Sequence, residues 1–214
     1  MAKRLTLNFV SSAKKRTHWH FANQILYDLC RDYPKHTNEQ VVIGKVWLIG
    51  RSYSVAIERV HKKVFVYDDI YKERVGRMIV ESKVDKWLLP LNRLRYGPGS
   101  LAEVLLAHKR LTEVFHDISG AGKRSLASKY LHFHFPNLFY IYDSRVVKAL
   151  RNLRPVLETE KGIDLDCDSE YRRVYEKCAQ LRRKINHRLG VNLCPRELDN
   201  LLLEVSEWDT EFGW

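Results

Sequence analysis

Several groups of residues in this chain have types and spacing that can do chemistry. The first is Gly120-Ala121-Gly122, followed directly by Lys123, Arg124 and Ser125. Two glycines one residue apart permit a tight turn with positive backbone dihedrals. A turn that opens into a helix points amide N–H groups outward, where a phosphate oxyanion can sit. Lys123 and Arg124 are placed to add charge for such a partner. The same residues also fit an ordinary turn between helices with solvated cations, because GxG alone is weak evidence. The second is Asp143, in Ile141-Tyr142-Asp143-Ser144-Arg145-Val146. An aspartate at the start of a helix caps free N–H groups, and the helix N-terminus favours negative charge there. Many capping aspartates do nothing more. The third is Arg51, Ser52, Tyr53 and Glu58 among apolar neighbours. A buried arginine needs a partner, and Glu58 can be it. The set makes either an internal ion pair or a pocket where Tyr53 stacks on a base and Arg51 or Ser52 bonds to it. His132 and His134 lie two apart, so they cannot share a helix face as a metal pair. Packing or backbone contact is the expectation for both, and no metal site is expected.

These residues must be held by helices. Apolar periodicity predicts a first helix from about Thr17 to Asp32, with Trp19, Ile25, Leu26 and Leu29 as its apolar positions. Tyr33-Pro34 ends it, because the residue before proline is pushed out of helical geometry. Asn38 is a good cap for a second helix. Its stretch Val41 to Arg59 carries apolar residues on most faces, so it should be central and buried. A short strand is expected at Lys62–Val66, and Asp68 can cap a helix running to about Glu81. Tyr96-Gly97-Pro98-Gly99 is a turn. Ser100 then caps a strong amphipathic helix carrying Leu101, Val104, Leu105, Leu111, Val114 and Phe115. After Gly120 come a helix ending near His134, a loop, and a helix from Asp143. An acidic loop at residues 158–168 precedes a long polar helix from Ser169 to about Leu189. Pro195 begins the last helix, where Leu198, Leu201, Leu202, Leu203 and Val205 must be packed.

Composition narrows the partner class. The chain has 214 residues, 45% of them hydrophobic, and a formal net charge of +11 from 37 Lys and Arg against 26 Asp and Glu. That length fits one large domain or two lobes sharing a core. The excess charge favours a polyanion through attraction and counterion release, with nucleic acid ahead of an anionic membrane. No apolar run is long enough to span a bilayer, and no signal peptide is read. Lys3, Arg4, Lys14, Lys15 and Arg16 form either a basic arm for DNA or a solvated terminus. Cys30, Cys167, Cys178 and Cys194 form no CxxC pair and are expected as free thiols.

The order of glycine hairpin, basic residues, helix, loop, apolar-x-Asp and a helix with valine in its first turn resembles the helix-hairpin-helix DNA glycosylases. That superfamily includes endonuclease III, the mismatch adenine glycosylase, the 8-oxoguanine glycosylases and the alkylpurine glycosylases. Ile118-Ser119-Gly120-Ala121-Gly122 is similar to the family's LPGVG-type hairpin, and Ile141 to Val146 to its "PVDTHV" segment. The resemblance covers about thirty residues, mainly 118–150. It implies that Asp143 is the catalytic carboxylate, stabilising positive charge on the sugar as an N-glycosidic bond breaks. It implies that Gly120, Gly122, Lys123, Arg124, Ser125 and Arg145 bind DNA, and that the target base is flipped into a pocket. Bifunctional members carry a lysine two residues after the second hairpin glycine. Here that position is Arg124, which stays protonated and cannot form a Schiff base. Ser125 and Lys129 lie one turn apart on one helix face, and long helical side chains lean toward the N-terminus. Lys129 could therefore bring its amine to the nucleophile position, or be a surface lysine. The family's iron–sulfur cysteine spacing is absent.

The expected fold is all-α, two-lobed, with a helix-hairpin-helix motif and at most one or two short strands. Residues 1–99 would form the pocket lobe, with helix 195–210 packing on it, and 100–190 the hairpin lobe. The expected activity is excision of a modified or damaged base from duplex DNA, in repair or in defence against modified phage DNA. No cofactor is expected, and the protein is expected to be a cytoplasmic monomer. The rivals are a non-catalytic DNA- or RNA-binding protein and a helical domain whose charge serves a protein partner.

Overall fold

The computed structural model describes residues 3–15, 17–59, 70–157 and 165–214. Helix makes up 68% of it, and extended structure is reduced to one tiny sheet, so the fold is all-α. The helices are α1 (Leu7–Ser12), α2 (His20–Asp32), α3 (Glu39–Ser52), α4 (Gly76–Glu81) and α5 (Asp85–Leu88), then α6 (Leu101–Ser119), α7 (Arg124–His134), α8 (Ser144–Asn152), α9 (Ser169–Leu189) and α10 (Pro195–Ser206). A π-helical turn, Ile70–Val75, leads into α4. Strands β1 (Lys3–Arg4) and β2 (Phe212–Gly213) pair in parallel, Lys3 opposite Phe212, which ties the two ends of the chain together. Among the described residues no helix is long and apolar enough to cross a membrane.

Side-chain caps set half of the helix starts. Asn38 caps α3 by accepting from the Val41 N–H at 3.2 Å. Asp168 caps α9 through the N–H groups of Glu170 and Tyr171. Pro195 opens α10, and Leu198, Leu201, Leu202 and Val205 are buried there, with Leu203 only half-buried.

Four expectations need correction. The second helix stops at Ser52 rather than Arg59, because Ser54 turns left-handed (φ 54°). The chain then folds back so closely that a Cβ on Gly50 would lie 3.1 Å from Ala56 Cα. Nor is that helix buried all round: Val42, Lys45, Val46 and Ile49 face the core, while Trp47 is 41% exposed. The first helix begins at His20 and buries Leu26 and Cys30, leaving Trp19 and Ile25 in solvent. Ser100 precedes α6 without capping it, since its Oγ donates backward to the Gly97 carbonyl at 3.0 Å. The strand expected at Lys62–Val66 and the cap at Asp68 lie outside the described residues, as do Arg16 and residues 158–164.

Helix α7 is the centre of the fold. Eight consecutive residues, Leu126 to Phe133, are buried, so no face of the helix is free. Helices α2, α3 and α6 all pack on it, and α10 packs chiefly on α8. Most of its polar groups are bonded to the surrounding elements, His134 Nε2 being an exception. The Tyr130 hydroxyl donates to His36 Nε2 at 2.8 Å, and His36 Nδ1–H donates to Asp85 at 2.7 Å. His132 Nδ1–H donates to the Phe139 carbonyl at 2.8 Å, which leaves Nε2 to accept from the Tyr27 hydroxyl at 2.6 Å. Both bonding patterns require neutral imidazole.

Burial enforces that state. It pushes His36 down to about 4, helped by the Lys45 ammonium. Burial brings His108 and His132 down to about 3, and also depresses His134. Unfolding releases these groups to an ordinary value near 6.5. Between about pH 6.5 and pH 4 the unfolded chain therefore binds more protons than the folded one. Their contribution to stability is complete above about pH 6.5 and is lost as pH falls toward 4. We expect the unfolding free energy to drop across that window by up to about 1.4 kcal/mol per pH unit for each histidine. Histidine NMR spectra should show these four rings neutral at pH 5, and titration of all four near 6.5 would contradict this packing.

Candidate active site

Asp143 and Lys129 meet where the extended segment Ile141-Tyr142 enters α8. Asp143 is the N-cap of α8, and its Oδ1 accepts from the Arg145 and Val146 N–H groups, both at 3.0 Å. Oδ2 is left on the other side, 3.7 Å from Lys129 Nζ. Lys129 sits in the interior of α7, one turn after Ser125. Its side chain is 1% exposed, so it is not a surface lysine. Nζ donates to Ser125 Oγ at 2.7 Å and to the Tyr142 carbonyl at 3.0 Å. Ser125 Oγ–H donates to the same carbonyl at 2.8 Å. Ser128 Oγ accepts from the Tyr142 N–H at 3.0 Å. Three side chains of α7 thus fasten the two peptide groups that flank Tyr142, and these fix where Asp143 begins the next helix.

Burial lowers the pKa of Lys129, with the Asp143 carboxylate opposing it. The physical reason is that the ammonium has lost most of its hydration. A lysine shifted in this way is easier to deprotonate, and the free amine is a nucleophile.

A wall of aromatic rings and one ion pair stands beside this pair. Lys129 Nζ and the Arg196 guanidinium each lie 5.8 Å from the centre of the Tyr53 ring. Arg196 also lies over Phe133 at 5.5 Å. It donates through Nε to the Tyr27 hydroxyl and through Nη1 to Asp199 Oδ2, both at 3.0 Å. Tyr53 donates to Asn23 Oδ1 at 2.7 Å. Burial pushes the Asp199 carboxyl up, and Arg196 pulls it back. On the far side of Tyr27, Phe133 and Arg196 lies a cavity of about 690 Å3, which Asn23 and Asn200 also line. Lys129 and Asp143 are not in its wall.

Arg196, Asp199 and Tyr27 escaped the sequence reading. A signal existed for one of them. Leu198, Leu202 and Val205 make the buried stripe of α10, and Asp199 falls beside it at helical spacing. A carboxylate there needs an internal cation.

The other expected residues are distributed as follows. Gly120 ends α6 in the left-handed region (φ 71°), but Gly122 does not have a positive φ. One left-handed residue is enough to terminate the helix, so the two-glycine expectation is corrected to one. Lys123 Nζ donates to the Arg59 carbonyl at 2.5 Å. Arg124 is half-buried and turned back onto the start of α9, donating to Asp168 and to Glu170, each at 2.6 Å. Arg145 is exposed at the start of α8. Of the three residues expected in a base pocket, Tyr53 faces Lys129. Arg51 instead pairs with Glu58 at 2.5 Å, and Ser52 is exposed. Among the described residues no group of three or more His, Cys, Asp or Glu is arranged to hold a metal ion.

The Arg196–Asp199 pair is buried deeply enough to matter for folding. Arg196→Met should strand the Asp199 carboxylate and lower the unfolding free energy by about 3–5 kcal/mol. Asp199→Asn keeps an acceptor for Arg196 and should cost less. Urea unfolding of both variants checks the order, and equal small losses would mean that the pair is solvated. The chain matches no protein-family model, no curated protein and no solved structure, so its function must be read from this geometry.

Proposed function

We propose that the protein is a DNA glycosylase that flips a modified or damaged base out of duplex DNA and breaks its N-glycosidic bond. The observation that carries this reading is the buried Lys129 amine, 3.7 Å from a carboxylate oxygen that the helix cap leaves unused. The two-lobed arrangement, with the turn at Gly120 as a helix-hairpin-helix motif, belongs to the same proposal, as do monomeric action and a cytoplasmic setting.

The chemistry follows from the groups present. Asp143 Oδ2 stabilises the positive charge that builds on the sugar as the bond to the base lengthens. Lys129, once it has given up a proton, attacks C1′ through Nζ. The bond between C1′ and the base nitrogen breaks, its electron pair leaves with the base, and the base takes up a proton. Loss of the sugar ring bond then gives a Schiff base between Nζ and C1′, with a proton delivered to the ring oxygen. Ser125 Oγ and the Tyr142 carbonyl hold Nζ in place, which limits the motion needed to reach the reacting carbon. A non-catalytic nucleic-acid-binding protein would need Asp143 only as a helix cap.

The decisive variants exploit that difference. Asparagine caps helices about as well as aspartate, so Asp143→Asn should keep the cap and lose only what the carboxylate gave the buried Lys129 ammonium. It should reduce excision on the order of a hundredfold or more, because a charge beside a developing cation is lost. The assay is a panel of duplexes carrying oxidised, alkylated, deaminated or phage-type modified bases, with abasic sites revealed by alkali. Borohydride should trap the wild-type protein on DNA and fail with Lys129→Gln. Trapping should rise with pH through a pKa below the usual lysine value. Asp143 raises the Lys129 pKa, so Asp143→Asn should move the remaining trapping limb to lower pH. Excision by Asp143→Asn at the wild-type rate would leave the carboxylate as a cap alone.

A further inference from the structure

A second feature lies on the opposite flank of the Asp143 segment. A groove of about 380 Å3 runs between α8 and α9, with Arg151 and Arg154 on one wall and Arg173 and Lys177 on the other. Tyr142 and Glu170 complete its polar lining. Among the described residues, none of these four cations bonds or ion-pairs through its side chain. The acids nearby are already committed. Glu170 accepts from Arg124 at 2.6 Å and from the Tyr142 hydroxyl at 3.1 Å. Asp168 is held by Arg124, and Glu176 by Arg172. Arg173 and Lys177 stand one turn apart on α9, where like charges repel.

We propose that this groove binds the phosphodiester backbone of a nucleic acid strand whose target nucleotide lies at Lys129 and Asp143. The proposal rests on the nucleic-acid part of the function proposed above. Four cations facing one another across a groove, unpaired among the described residues, make a positive field that favours a polyanion. Arginine forks and a lysine point charge both suit phosphate oxygens. Tyr142 joins the two places: its carbonyl accepts from Lys129 Nζ, and its hydroxyl bonds to Glu170 in the groove wall. A strand leaving the Lys129 centre past Tyr142 enters the cationic groove directly. The hairpin cations leave this role open. Arg124 is neutralised by two carboxylates, and Lys123 is bonded to a backbone carbonyl.

The test is binding of a fluorescein-labelled, unmodified 20-base-pair duplex, followed by anisotropy from 50 to 300 mM KCl. The variants are the pairs Arg151→Gln with Arg154→Gln, and Arg173→Gln with Lys177→Gln. Arg77→Gln with Lys86→Gln removes the same charge from α4 and α5 as a control. Each phosphate contact contributes on the order of 0.9 to the slope of log K against log salt, so each groove pair should lower that slope by about 1.8. Affinity at 100 mM should fall on the order of tenfold or more, while the control should lose far less. Arg151→Lys with Arg154→Lys, which keeps the charge, should retain the wild-type slope. Groove variants with the wild-type slope, or with losses no larger than the control, overturn the groove while leaving the proposed excision untouched. A wild-type protein that binds no DNA at 50 mM KCl, or prefers phosphatidylglycerol vesicles, overturns the groove and the nucleic-acid reading together. Excision is not read in this assay. A protein that binds through the groove and removes no base therefore counts against the glycosylase reading alone.

Discussion

Burying α7 on every side is the constraint from which the rest of the arrangement follows. A helix with no solvent face must find an internal partner for each polar side chain, because an unmet buried donor or acceptor costs about 1–3 kcal/mol. Helix α7 carries Ser128, Lys129, Tyr130 and His132 within its buried run. Each is satisfied by a different neighbour. Tyr130 reaches His36 and through it Asp85, His132 reaches Tyr27 and Phe139, and Ser128 and Lys129 reach the backbone N–H and carbonyl of Tyr142. These bonds join α7 to the segment after α2, to α2 itself and to the loop before α8. Apolar packing holds the helices together, but this polar set fixes which residue faces which.

The same burial creates the chemistry. In water, Lys129 would be an ordinary ammonium. Surrounded by α7, Tyr142 and Tyr53 it loses hydration, and its pKa falls. Asp143 is divided between two tasks by geometry. One oxygen completes the N-terminus of α8, and the other stays beside the amine. A cap that uses only one carboxylate oxygen fixes the direction of the other without further support.

Charge is distributed on a similar principle. Arg196, deep beside the aromatic wall, is matched by Asp199 and Tyr27. Arg124, next to the turn, is matched by Asp168 and Glu170, of which Asp168 also caps α9. These pairs consume the nearby acids and leave Arg151, Arg154, Arg173 and Lys177 facing one another. Four cations are thereby left without a carboxylate partner among the described residues.

The sequence by itself determined the helical class, the turn at Gly120, the cap at Asp143, the cap at Asn38 and the extent of α9. Each of these depends on neighbours within a turn or two, through periodicity, capping or backbone freedom. It also allowed Lys129 to reach the Ser125 side of α7, since helical geometry alone sets that relation. The end of α3 was not legible, because it depends on the close return of Ala56 onto Gly50. Only the tertiary structure decided the partners of the paired arginines. Nothing in the local sequence of Arg124 says that Asp168 lies against it, and nothing near Arg196 names Tyr27, 169 positions earlier. Local sequence fixes torsions and periodicity, whereas the neutralisation of a buried charge depends on which distant segment is packed against it.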